Sequence, residues 1–84
     1  MGSSAPVELW ADESGDMRAQ ALWLPDSEEI EVVVSQGGRV LRERFRPLHV
    51  PRFGIDVADL ARVQEIAEAL AQRLERGEED PVTS

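Results

Sequence analysis

Residues 29–46 read EIEVVVSQGGRVLRERFR, and this stretch decides the fold. Its first part, Ile30-Glu31-Val32-Val33-Val34, is the most β-prone run in the chain, because β-branched side chains suit a pleated surface and lose freedom in a helix. Gly37-Gly38 follows and accepts the positive φ angles of a tight hairpin turn, so residues 39–46 are expected to return antiparallel. Pairing across that turn sets Val34 beside Leu41, Val32 beside Glu43 and Ile30 beside Phe45. That face is largely apolar. Glu31, Val33, Val40, Arg42 and Arg44 fall on the other side. A phosphate loop would need further glycines with Lys and Ser/Thr at fixed spacing, and none follow.

Towards the N-terminus, Asp12-Glu13-Ser14-Gly15-Asp16 and Pro25-Asp26-Ser27-Glu28 punctuate two further strand-like runs, residues 7–11 and 17–24. The simplest registers add Leu22, Leu24 and Trp10 to the face of Ile30. They place Val7, Leu9, Ala19, Ala21 and Trp23 on the opposite face with Val33.

Towards the C-terminus, Pro47-Leu48-His49-Val50-Pro51 has two residues without amide donors and reads as an extended connector. A helix follows. Asp56 is a natural N-cap, Asp59 suits the positive end of the helix dipole, and Gly77 stands at C′ after Arg73 and Arg76. Leu60, Val63, Ile66, Ala67, Leu70 and Leu74 recur at three- and four-residue steps and form one apolar stripe. The expected fold is α+β: a four-stranded antiparallel β-meander followed by one long C-terminal helix packed on one sheet face (β-β-β-β-α). Residues 7–76 form the domain, residues 1–6 a disordered N-terminus, and residues 77–84 a disordered acidic tail.

A chain of 84 residues buries only about 60–65% of the surface exposed when unfolded. Without cysteine it has no disulfide or thiolate metal site, so a second subunit is the expected reinforcement. No apolar run approaches the length of a membrane span, and the start lacks the regions of a signal peptide. A cytoplasmic location is therefore expected, with no membrane as partner.

Charge is unevenly placed. Arg39, Arg42, Arg44, Arg46 and Arg52 face only Glu43 within residues 39–52, which leaves +4 there and −12 elsewhere in a chain of net −8. Such separation favours oriented encounter with a partner. Alternation projects Arg42, Arg44 and Arg46 as a row that could track phosphates. The β-β-β-β-α order with an arginine-bearing sheet resembles small single-stranded nucleic-acid coactivator domains of the PC-four and Whirly kind, a likeness of topology. The overall −8 repels a polyanion, however, and cross-strand pairing such as Arg44 with Glu31 is the ordinary use of sheet arginines.

Little points to chemistry. His49 is the only histidine, short of the roughly four ligands a zinc site needs. Ser14, Ser27 and Ser35 stand in or beside turns without a base at a nucleophile spacing. Glu29 with Glu31 is an unspecific pair, and Asp56 with Asp59 is accounted for by helix capping. Expected, then, is a non-catalytic protein-interaction module without cofactor or metal. It is homodimeric or binds a protein partner through Trp23, Ala21, Val33, Arg42 and Arg44 on the uncovered face. The rivals are a single-stranded nucleic-acid-binding module using the arginine strand, and an acidic inhibitor that occupies the basic site of a nucleic-acid-binding protein.

Overall fold

The structure, a computed structural model, describes residues 5–78. It is α+β: strands β1 (Val7–Ser14), β2 (Met17–Leu24), β3 (Glu29–Gln36) and β4 (Arg39–Phe45) precede helix α1 (Val57–Glu75). The strands form one open antiparallel sheet in the order β1-β2-β3-β4. Gly37 and Gly38, at φ 55° and 86°, make the β3–β4 turn, and Ile30, Val32 and Val34 pair with Phe45, Glu43 and Leu41 as the sequence indicated.

The β2–β3 hairpin differs. Residues 25–28 form a four-residue loop in which the Glu28 N–H donates to the Leu24 carbonyl at 2.8 Å, and Leu24 pairs with Glu29. Trp23 then stands opposite Ile30, Ala21 opposite Val32 and Ala19 opposite Val34. Ala21 and Trp23 therefore lie on the helix side, and Leu22 and Leu24 on the uncovered side, the reverse of the expected assignment. The cause is parity, since one residue more or less in the loop turns every β2 side chain over. Glu28 closes the loop at φ 57°, a left-handed conformation that costs a residue with a Cβ about 1–2 kcal/mol. Replacing Glu28→Gly should stabilise the domain by about 0.5–1 kcal/mol, the relief being partly offset by a freer unfolded chain. An unchanged or lowered urea midpoint would contradict a left-handed Glu28.

β1 runs further than expected, to a two-residue turn in which Gly15 has φ 62°. A bulge between Glu8 and Trp10 lets both Val7, opposite Trp23, and Trp10, opposite Ala21, point to the helix side. Leu9, expected on the open face, packs against the core.

The core joins Ala21, Ile30, Val32, Val34 and Leu41 of the sheet to Val63, Ile66, Ala67, Leu70 and Leu74 of α1. Leu60, expected in that stripe, is only half-buried. Its neighbour Asp59 is buried instead. Phe45 packs at the core margin with the Arg62 guanidinium 5.8 Å from its ring centre. α1 lies over β3 and β4 and reaches β2 but does not cover β1.

Both helix ends are capped. Asp56 accepts from the Ala58 N–H at 3.0 Å. At the other end the Gly77 N–H donates to the Leu74 carbonyl and the Glu78 N–H to that of Arg73, the paired bonds of a Schellman motif, with Gly77 at φ 90°. The Glu78 carboxylate accepts from Arg73 at 2.9 Å and Arg76 at 3.2 Å, and these bonds, Arg73 first, hold its carboxyl below the ordinary glutamate value. Gly77 and Glu78, expected to begin the tail, thus finish the helix. The rest of the tail, residues 79–84, and residues 1–4 lie outside the described residues.

Candidate interaction surfaces

Three surfaces stand out, and the first is the side of the sheet away from α1. Its cross-strand rows are Glu8–Leu22–Glu31–Arg44, Ala11–Gln20–Val33–Arg42 and Glu13–Arg18–Ser35–Val40, with Leu24 beside Glu29 beyond them. No element packs on this side among the described residues. Leu22, Leu24, Val33 and Val40 are each half-buried, so apolar surface lies open between longer polar neighbours.

Polar contacts order part of the face. Arg44 Nε lies 3.0 Å from Glu31 Oε2, and its Nη1 lies 4.0 Å from Glu29. Gln20 donates to Glu8 at 3.1 Å, and Arg18 approaches Glu13 at 3.6 Å. These pairs face solvent, where each contributes about 0–1 kcal/mol. Among the described residues Arg42 has no carboxylate within 4.0 Å, nor do Arg39, Arg46 and Arg52. Arg44 is therefore used locally, while Arg42 beside Val33 has no such partner among the described residues. Of the five residues the sequence brought together, Val33, Arg42 and Arg44 share this face, Ala21 is fully buried in the core, and Trp23 is half-buried on the helix side.

The second surface follows from the position of α1. Because the helix does not cover β1, a cavity of 330 Å³ opens between α1 and the β1–β2 hairpin. Its walls include Trp10, Met17, Ala19 and Ala67, and Asp12 and Glu68 stand exposed at its rim. Sequence reading placed Trp10 on the helix side, but periodicity does not reveal where a helix stops covering a sheet.

The third surface is the connector between β4 and α1. Leu48, Val50 and Phe53 are 74%, 50% and 102% exposed and Val57, the first residue of α1, is 82% exposed, four of the five large apolar residues left open to water among the described residues. The prolines at 47 and 51 keep Leu48 and Val50 from joining the sheet as a central strand, while no sequence signal marked Phe53 or Val57 as exposed.

Asp59 anchors this connector. The residue is 3% exposed, and its carboxylate accepts from the backbone N–H of Leu48 at 3.0 Å and of His49 at 3.3 Å. Together His49, Asp56 and Asp59 offer ligand atoms within 4.8 Å of one another. Both carboxylates already accept backbone N–H groups, and the positive end of the α1 dipole opposes a cation here. The arrangement works as a latch that ties the loop to the helix.

No protein-family model, curated protein or solved structure matches this chain.

Proposed function

We propose that the protein is a non-catalytic interaction module that binds a protein chain, a second copy included, through the uncovered sheet face. The observation that carries this reading is Leu22, Leu24, Val33 and Val40 lying open on one side of a single-layer sheet. An antiparallel sheet with one solvated face ordinarily alternates polar residues outward, and an apolar patch ringed by charge commonly marks a contact surface. Arg42 on the edge strand beside Val33 supplies a cation without a carboxylate partner among the described residues, and arginine is among the residue types that dominate interface energetics.

Sedimentation velocity tests the proposal. The wild type should self-associate, and combining Leu22→Glu with Val33→Glu should weaken that association at least tenfold, as on the order of 1.4 kcal/mol corresponds to a factor of ten. The circular dichroism spectrum should not change. A wild type that stays monomeric at high micromolar concentration, or association indifferent to both substitutions, would remove the support for this face.

A second reading rests on Arg39, Arg42 and Arg46, which have no carboxylate partner among the described residues and could contact phosphates of single-stranded nucleic acid. The net charge of −8 and the engagement of Arg44 with Glu31 weigh against it. Sub-micromolar oligonucleotide binding that falls steeply with salt and is abolished by Arg42→Ala would favour it over the first.

A further inference from the structure

The 330 Å³ cavity beside Trp10 and the exposed connector both pair apolar surface with charge, of opposite sign. The connector offers an apolar knob, Phe53, at 102% exposure, flanked by Arg52 and with Arg46 at its start. The cavity offers the opposite: a floor of Trp10, Met17, Ala19 and Ala67 with the carboxylates of Asp12 and Glu68 at its rim. Arg52 beside the ring is thus opposite in charge to the two carboxylates at the rim of the pocket. Complementary potentials of this kind steer encounter and fix register.

We infer that this groove receives the Arg52-Phe53 loop of a second copy of the chain. A chain does not fill its own groove: the loop enters α1 at its N-terminal end, whereas the groove opens beside Gln64, Ala67 and Ala71 on the β1–β2 flank. The loop is also held in shape before contact. Pro47 and Pro51 restrict its backbone, and Asp59 fixes the Leu48 and His49 amides, so little freedom is lost on docking. Groove and loop both lie off the uncovered sheet face. The inference therefore uses none of the residues on which the proposed function rests, and two copies joined this way keep that face free for a further chain.

The test uses the full chain carrying Trp23→Phe, which leaves Trp10 as the sole tryptophan, and a synthetic peptide of residues 46–55. The peptide should shift Trp10 emission to shorter wavelength and saturate, with affinity that falls as salt rises. The same peptide with Phe53→Ser should bind at least tenfold more weakly. In the wild type, followed by NMR, concentrating the protein should move the Ala67 and Ala71 amide signals in the direction the peptide moves them, and Phe53→Ser in the chain should abolish that movement. Repeating the titration on the Leu22→Glu, Val33→Glu chain separates this contact from the sheet face, because binding should be unchanged. Groove signals insensitive to protein concentration, movement that survives Phe53→Ser in the chain, equal binding of both peptides, or binding lost with the sheet-face substitutions would each overturn the inference.

Discussion

Leu70→Ala should cost about 2–5 kcal/mol, the range for removing a buried leucine without collapse of the space it leaves. Leu70 is 1% exposed and lies at the centre of the contact between α1 and the sheet. A single domain usually has only about 5–15 kcal/mol in all, and one this small with no cross-link belongs near the bottom of that range. The variant should therefore be partly unfolded at room temperature. Urea denaturation checks it directly. A loss below about 0.5 kcal/mol would show that the helix stripe contributes little to the core.

Asp59→Ala should be nearly as damaging, at about 2–3 kcal/mol, through another mechanism. The substitution removes one buried carboxylate and with it two charge-assisted hydrogen bonds, to the Leu48 and His49 amides. It also takes a negative charge from the first turn of α1, where the helix dipole favours one. Part of the loss is recovered because the freed amides belong to exposed residues that water can reach. Amide exchange at Leu48 and His49 should accelerate by at least tenfold while exchange in β3 rises only with global stability. Unchanged protection at both amides would mean that Asp59 does not hold the connector.

The element order was legible because each boundary has a local chemical cause. Gly37-Gly38, Asp56 and Gly77 act through backbone geometry that needs no knowledge of the rest of the chain. The core partners Ile30, Val32, Val34 and Leu41 were legible for a related reason: a two-residue turn leaves one register. Faces were harder. β2 has Ala19, Ala21 and Trp23 on one side and Leu22 and Leu24 on the other, so its pattern does not say which side is covered. The decision rests on a left-handed Glu28, and glutamate carries no propensity that announces it.

The candidate surface suffered accordingly. Val33, Arg42 and Arg44 were placed correctly because they belong to the well-specified hairpin, while Ala21 and Trp23 went wrong with β2. Asp59 was read as a favourable charge on a helix end, which it is, but its bonds to residues ten and eleven positions away are non-local and leave no trace in spacing. The exposed connector was visible only as a proline-bracketed segment. How far its apolar side chains stand from the core depends on where the helix docks.

The two apolar sides of β2 also bear on how the molecule reaches its fold. A collapsed chain with β2 turned over would bury Leu22 and Leu24 in place of Ala21 and Trp23, and hydrophobicity alone scarcely penalises that competitor. Hairpins close in about 1–10 μs, before distant segments have time to dock. The loop at residues 25–28 is therefore in a position to set the parity of half the sheet while α1 is still remote in the chain. The Glu28 N–H bond to Leu24 favours the native parity, whereas the left-handed backbone at Glu28 works against it, so one residue both closes the loop and narrows the margin by which this sheet prevails over its mirror-sided rival.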